Sequence, residues 1–296
     1  MTGPQPLVEF VIPFYGAPDY LHQAVGSLRD QGVPDWRATI LDDCYPYPGL
    51  DDWVTSLHDP RIRVLHNATT LGVNANFSRA LSVATAEYVV ILGCDDRLLP
   101  TYVETVHRLV ETTRAQVIQP GVRIIDRAGD ARLPLVDRVK RSSRPRGRAV
   151  LRGEDPVASL LRGNWCYFPS LCWHRETAAR IGFRADYQVV QDLALLVDVL
   201  LAGGTLVVDD EVCFEYRRHA ASLSSVQAVS GGRFEEERAY FADITRRAQD
   251  VGWSRAARAG RARVMSRAHA LTMLPTAVRT ADVGAVTRLA RHAFAS

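Results

Sequence analysis

The stretch Tyr88-Val-Val-Ile-Leu-Gly-Cys-Asp95-Asp96, followed by Arg97-Leu-Leu-Pro100, restricts this chain more than any other. A short apolar run with no polar alternation reads as a strand buried on both faces, the kind found in parallel sheets covered by helices. Such a strand delivers its paired acids to the carboxyl edge of the sheet, where ligands of open α/β folds bind. Two neighbouring carboxylates repel one another unless positive charge is close. A hard divalent cation carrying phosphate oxygens supplies that charge. The stretch therefore points to a metal-bound nucleotide or another phosphorylated substrate.

The flanking sequence supports a sheet of that type. Leu7–Phe14 reads as a strand stopped near Pro13, and a helix follows from Pro18 with Leu21, Val25 and Leu28 at helical spacing. Trp36–Leu41 is a second strand and ends in Asp42-Asp43. Arg61–Leu65 is a third strand, and Asn76–Ala84 is a helix with Phe77, Ala80, Leu81 and Ala84 on one face. Strands alternating with helices imply βαβ units and a mostly parallel sheet. After Pro100 the pattern predicts a helix to about Arg114, a strand over 115–119, and the start of a hairpin over 122–126 turning at Ala128-Gly129-Asp130. It then predicts a long polar, basic loop over 131–150. Helical pattern resumes at 154–161, Trp165–Trp173 reads as strand, and Val189–Ala202 is a strong helix stopped by Gly203-Gly204. Short strands are expected over 205–208 and 212–216. Beyond Gly232 the pattern is helical, with breaks expected near Val251-Gly252 and Pro275. The expected organisation is a 1–225 domain, with a nucleotide-binding half over about 7–100 and an acceptor half over about 101–225. A helical region over 226–296 follows.

Composition narrows the class. The chain has 296 residues, 47% apolar and 23% charged, as in ordinary globular proteins. No apolar run reaches the ~18–20 residues of a membrane span, and no basic-then-apolar leader opens the sequence. Five scattered cysteines form no CxxC pair, so neither a zinc site nor a disulfide framework is indicated, and a cytoplasmic setting is expected. Cys44 and Cys94, beside the acidic doublets, read as small fillers. The net charge of +3 is uneven: from Gly231 onward twelve arginines face six acids. These arginines lack interleaved aromatics, so nucleic-acid binding is not expected. A peripheral membrane contact or a second subunit remains open for that region. Lys140 is the only lysine. With no GK[ST] loop and no GxGxxG, the P-loop and classical dinucleotide folds fall away.

A carboxylate at one strand end is most simply a helix cap or a turn acid. Two doublets at two parallel strand ends weaken that reading. Together with Asp192 they form a pattern that resembles the inverting family 2 glycosyltransferases and their GT-A fold. Val11-Ile-Pro-Phe-Tyr15 is similar to that family's first strand, Ile40-Leu-Asp-Asp43 to its second, and Leu71-Gly72 with Asn76-Phe-Ser-Arg-Ala-Leu81 and Ala86-Glu-Tyr88 to its next segment. Leu92-Gly-Cys-Asp-Asp96 resembles its metal-binding DxD region, Gln191-Asp192 its ED motif, and Tyr216-Arg-Arg-His-Ala-Ala-Ser222 its YRxHxxS segment. The six motifs keep the family's order and cover roughly residues 7–225.

The resemblance implies roles. Pro13, Tyr15, Asp43 and Asn76 would cradle the nucleotide, with Asp95 beside them. Asp95, Asp96 and His219 would meet a Mn²⁺ or Mg²⁺ ion and the diphosphate of a UDP- or dTDP-type sugar donor. Arg217 or Arg218 would offset phosphate charge. Asp192 would be the general base for an unidentified acceptor, and Trp165 would face that acceptor. The chemistry is coherent with this: a metal neutralises the leaving diphosphate, and a carboxylate on the other side activates the attacking hydroxyl. Several positions depart from the family. Gly16 replaces an Asn, Gly93 the first Asp of DxD, Ser78 an amide and Gln191 a Glu. Competing readings are a sugar-phosphate nucleotidylyltransferase, a receiver-like domain and a non-catalytic nucleotide-sugar-binding module. The first lacks its basic Gly-rich loop, since residues 13–20 hold one glycine and no Arg or Lys. The second lacks its strand-end lysine.

Overall fold

A computed structural model describes residues 6–218, 232–279 and 283–294. Its strands are β1 (Val8–Phe14), β2 (Trp36–Asp42), β3 (Ile62–His66), β4 (Tyr88–Ile91), β5 (Arg97–Leu98), β6 (Val117–Ile125), β7 (Ala131–Arg132), β8 (Ala149–Leu151), β9 (Cys172–His174) and β10 (Leu206–Arg217). The helices are α1 (Pro18–Arg29), α2 (Leu50–Ser56), α3 (Val73–Val83), α4 (Tyr102–Thr113), α5 (Leu135–Ser143), α6 (Glu154–Arg162), α7 (Arg175–Ile181) and α8 (Gln191–Leu201). They continue as α9 (Gly232–Asp250), α10 (Ser254–Ala262), α11 (Val264–Arg279) and α12 (Val283–Phe294).

The strands form one sheet in the order β3-β2-β1-β4-β9-β6-β10-β5, with β7 added to β6 and β8 to β10. β3, β2, β1 and β4 are parallel neighbours. β9 runs antiparallel to both β4 and β6, and β10 is parallel to β6. Two reversals restore the original direction. The carboxyl ends of β1, β2, β4, β6 and β10 therefore share one rim, although β6 and β10 lie far from β1 in sequence.

Strand periodicity of two explains how both faces are filled. Along β4, Tyr88 and Val90 enter one core with Leu92 just beyond, while Val89 and Ile91 enter the other. α1 and α4 cover the first face through Leu21, Val25 and Leu28 and through Val103, Val106 and Leu109. The second face takes α3, α6 and α8, and also Tyr240, Phe241 and Ile244 of α9 and Ala256, Ala257 and Ala259 of α10. The first two C-terminal helices are thus part of the same core as the sheet. Phe234, Ala270, Leu289 and Ala293 form a small separate cluster that joins α9, α11 and α12.

Several sequence expectations are corrected. Segment 131–150 is not a long loop but β7, α5 and β8. Two of its arginines have acidic partners on β10: Arg144 pairs with Asp210, and Arg148 Nε donates to Asp209 at 2.9 Å. The two short strands expected over 205–216 are the single β10, whose register shifts between Val208 and Phe214. Those acids read as a turn in sequence, yet the shift packs them over Gly121. A Cβ at Gly121 would lie 2.6 Å from the Asp210 carbonyl oxygen. The partner segments 115–119 and 122–126 fuse into β6 for the same reason. Trp165–Trp173 is mostly not strand: a 3-10 turn at Phe168–Ser170 precedes the three-residue β9. Pro275 lies inside α11 rather than breaking it. The break falls at Arg263, which is left-handed with φ 46°. α2 is a helix that the sequence reading did not identify.

Glu9, fully buried on β1, ties the parallel half together. Its carboxylate accepts from Thr39 Oγ1 of β2 (3.0 Å) and from the backbone amides of Thr85 (2.7 Å) and Ala86 (3.3 Å), which lead into β4. Arg63 of β3 and Arg37 of β2 approach to 3.4 and 3.6 Å. Removing it leaves the buried Ala86 amide, the Thr85 amide and the buried Thr39 hydroxyl without an acceptor. Glu9→Ala is expected to lower unfolding free energy by about 3 kcal/mol, measured by urea denaturation. A loss below about 1 kcal/mol would show that water replaces the carboxylate.

Candidate active site

The shared rim gathers most of the residues singled out in the sequence. Asp43 follows β2 and is almost fully buried. Its Oδ1 accepts from Asn67 Nδ2 (2.6 Å) and the Leu71 amide (2.8 Å), and its Oδ2 from the Gly72 amide (3.0 Å). Asn67 Nδ2 also donates to Asn76 Oδ1 at 3.1 Å. Asp43 and Asn76 therefore do meet, through Asn67, and fix the loop that starts α3. Cys44 follows Asp43 at φ 59°, a conformation uncommon for a side-chain-bearing residue, and its thiol donates to the Asn67 carbonyl at 3.0 Å.

β1 contributes Pro13, half-buried, and Tyr15, whose side chain is 60% exposed. The Tyr15 ring meets Tyr45 edge-on at 5.3 Å, and Tyr45 meets Phe14 at 5.3 Å. Tyr47, His22 and Trp53 extend this aromatic lip: His22 lies 4.2 Å from the Trp53 ring and 3.3 Å from the Tyr47 hydroxyl. Sequence reading passed over Tyr45, Tyr47 and Trp53 because no periodicity marks them. The aromatic cluster Tyr45-Pro-Tyr47 directly after an acidic doublet was the available signal.

At the end of β4 the chain turns tightly, with the Asp96 amide donating to the Gly93 carbonyl at 3.1 Å. Asp96 is 1% exposed, and Asp95 is partly exposed. Burial, and then the neighbouring Asp95 charge, push the Asp96 carboxyl well above the usual range. The Arg217 amide counters this by donating to Asp96 Oδ1 at 2.8 Å. Cys94, pushed up to about 12 by burial, is an inert thiol.

Arg217 does not offer its guanidinium to a ligand. Its Nε donates to the Asp95 carbonyl (2.7 Å) and Nη1 to the carbonyls of Asp126 (3.2 Å) and Arg127 (2.9 Å). Nη2 donates to Gln23 Oε1 (2.8 Å). This buried cation clamps the ends of β4 and β6 to α1. Arg218 is held by Asp137, with Nη2 2.8 Å from Oδ1. His219 lies outside the described residues.

Asp192 is the second residue of α8, partly exposed at a small cleft lined also by Asn164, Cys166, Phe168 and Leu193. Burial raises its carboxyl. The Leu193 amide, 2.7 Å from Oδ1, and the charges of Lys140 and Arg233 act against that rise. The start of α8 is held by Glu236 of α9, which accepts from the amides of Gln188 (2.9 Å), Val189 (2.6 Å) and Val190 (2.8 Å). Glu236 caps a helix 45 residues upstream of it, so no local pattern announces it. Tyr216 of β10 connects the two acidic groups. After burial, the charges of Asp96, Asp95 and Asp192 act together to raise its phenol, against Arg218. Asp192 and the acidic rim thus act on the same phenol.

Trp165 departs from its expected place. The side chain is fully buried in the core and its indole N–H donates to Ser159 Oγ at 3.2 Å, so its faces are covered by packing rather than turned to an acceptor.

A half-sheet of four parallel strands with acids at the carboxyl rim, and a helix presenting one more acid across from it, is the GT-A arrangement. The family model for Glycosyl transferase family 2 matches residues 9–168, more than half of the chain, and the chain belongs to that family. Among sequence relatives, a stretch of 99 residues is 35% identical to the Putative teichuronic acid biosynthesis glycosyltransferase TuaG of Bacillus subtilis, covering 33% of this chain and 39% of that protein. A stretch of 96 residues is 31% identical to the Putative colanic acid biosynthesis glycosyl transferase WcaA of Escherichia coli, 32% of this chain and 34% of that one. The match thus spans little more than a third of these curated relatives. Among solved structures, S. aureus TarS 1-349 in complex with UDP-GlcNAc superposes with a TM-score of 0.65 at 14% identity, covering 96% of this chain and 91% of that one. Mannosyltransferase PcManGT from Pyrobaculum calidifontis, in complex with GDP-Man and Mn²⁺, gives 0.60 at 15% identity, covering 98% and 80%. At these identities the likeness is one of fold.

Gly93, where the family's DxD has its first acid, is fixed by its surroundings. A Cβ there would sit 2.5 Å from Asp96 Oδ2 and 3.1 Å from Asp95 Oδ1. Restoring the family residue with Gly93→Asp is expected to displace both carboxylates. We expect a lower thermal midpoint than wild type in a thermal-shift measurement.

Proposed function

We propose that the chain is an inverting glycosyltransferase that moves a sugar from a UDP- or dTDP-type donor to an acceptor hydroxyl, with Asp192 as general base. The observation that carries this reading is the position of Asp192. It is a partly exposed carboxylate at a helix start anchored by Glu236, and its charge acts on the Tyr216 phenol together with those of Asp96 and Asp95. A base on one side and a diphosphate-holding rim on the other is what in-line displacement at an anomeric carbon needs. Such attack inverts the centre without a covalent enzyme nucleophile.

The base and ribose of the donor would lie between Pro13, Tyr15 and the Asp43–Asn76 loop, with Tyr15 free to stack and Tyr45 bracing it. Asp43 acts there by holding the backbone of Leu71 and Gly72 rather than by reaching out, since its oxygens already have three donors.

Among the described residues no group of three or more His, Cys, Asp or Glu side chains could by itself hold a metal. Two carboxylates nevertheless fit Mn²⁺ or Mg²⁺, because such ions are commonly held by one or two carboxylates and completed by substrate phosphates and water. Gly93 leaves the space beside Asp95 and Asp96 free of any side chain. Asp95 and Asp96 would hold the ion, with His219 as a further proposed ligand. The ion would stabilise charge developing on the departing diphosphate. The protein's own part is to fix both carboxylates: Asp96 by the Arg217 amide, and Asp95 by the clamp on its carbonyl.

Two results follow. Asp192→Asn is expected to reduce donor turnover about 10²–10⁴-fold, with UDP affinity within about twofold of wild type in calorimetry. Because the ionised form is the base and burial raises its pKa, the rate rises with pH through a limb above the ordinary carboxylate value of ~4. Asp95→Asn together with Asp96→Asn should abolish the Mn²⁺-dependent part of UDP binding in a thermal-shift titration. Unchanged metal-dependent binding in that double variant would remove the diphosphate from this rim.

A further inference from the structure

α5 is built inside out. Leu135 and Val136 are exposed, while Asp137 is fully buried and Lys140, one turn on, also points inward. The inward residues have a task at the cleft of Asp192. Asp137 Oδ1 accepts from the Tyr167 hydroxyl (2.9 Å) and from Arg218 Nη2 (2.8 Å). Lys140 Nζ lies over the Tyr167 ring at 4.6 Å and donates to the Cys166 carbonyl at 3.1 Å. Cys166 and Asp192 line the same cleft.

Each other cation near that cleft already has a carboxylate. Arg218 is paired with Asp137, and Arg233 of α9 donates to Glu237 at 2.7 Å. Among the described residues Lys140 makes no ion pair of its own, and an ammonium has three donors, of which one is used on Cys166. We propose that Lys140, the only lysine of the chain, is a positioning residue for the base, its ammonium standing as the charge partner of the Asp192 carboxylate and holding the Cys166 wall of the cleft against it. This rests on the reading of Asp192 as the base.

The groups that face the pair are few. Lys140 contacts Tyr167 and Cys166 and is acted on by Arg218, Asp192 and Asp137, Asp192 lines the cleft with Cys166 and is acted on by Lys140 and Arg233, and Arg144 acts on Cys166. Burial, and then Arg218, lower the Lys140 ammonium, whereas Asp192 favours its charged form. Burial acts on Asp192 in the other direction and disfavours its anion. Two buried groups of opposite sign keep their charges best together, so each removal shifts the other. Losing Lys140 raises the pH at which Asp192 becomes a base. Losing the Asp192 charge lowers the pH at which Lys140 gives up its proton.

The single lysine makes the test direct. With ¹³Cε-labelled lysine the full chain shows one side-chain resonance, whose pH titration reads Lys140 alone. In Asp192→Asn its midpoint is expected to fall by about 1 pH unit. In Lys140→Met the acidic limb of the donor-turnover profile is expected to move up by about 1 pH unit, and Lys140→Arg, which keeps the charge, should return most of that shift. An unchanged lysine midpoint in Asp192→Asn overturns the proposal. So does a Lys140→Met enzyme that is slower by the same factor at every pH, since that is a packing defect. The lysine titration needs neither turnover nor a folded Lys140 variant. If wild type turns over no donor at any pH, the transferase reading fails, and the titration alone decides the pair.

Discussion

The guanidinium of Arg217 is the contact on which the site depends. It is a buried cation that spends its donors mainly on backbone carbonyls, at the ends of β4 and of β6, and on Gln23 of α1, with the Tyr20 ring 4.8 Å away. Its own amide binds Asp96. A planar, always-charged fork suits this work, because a lysine could not reach three elements in fixed directions. Its carbonyl and amide partners make a buried arginine tolerable, and its amide and charge act against the rise that burial and Asp95 impose on Asp96. The placing of the acidic pair and strand-end packing are one arrangement.

A second arrangement holds the opposite wall. α8 carries Asp192 and is fixed at its start by Glu236. Further along, Asp198 accepts from Arg184 Nε (3.0 Å) and Arg247 Nη1 (2.7 Å). Glu236 and Arg247 both come from α9, and Tyr240, Phe241 and Ile244 of that helix share the core with α8. The first C-terminal helix is therefore part of what orients Asp192. Its Arg247 has a local use here, in pairing with Asp198 of α8.

Much of the sheet was legible because its parallel strands are buried on both faces and read as unbroken apolar runs. β4 follows that pattern, β1 breaks it at Glu9 and β2 at Arg37 and Thr39, and the acid pairs ending β2 and β4 stood out against it. Segment 131–150 was not legible for the opposite reason. The inward residues of α5 are Asp137 and Lys140, whose partners come from β10 and from the segment between α6 and β9, so no apolar period marks the helix. β10 was cut in two by Asp209–Glu211, acids that look like a turn until Arg108, Arg144 and Arg148 are found beside them. Trp165 misled in another way, since an aromatic at an acceptor-facing position and an aromatic in a core have the same sequence signature.

The sequence by itself determined the elements whose side chains face apolar surroundings, the order of six motifs, and which acids stand at strand and helix ends. Those properties are local: a period, a turn residue or a charge can be read without knowing the neighbour. The tertiary structure decided which of the charged residues are available. Arg217, Arg218 and Asp43 look like ligands in sequence, but in the folded chain their polar atoms are largely engaged by carbonyls, by a carboxylate and by amides. Lys140 looks like a loop charge and comes to rest at the cleft of Asp192. Burial and pairing set the chemical behaviour of a charge, and both are supplied by segments far away in the chain.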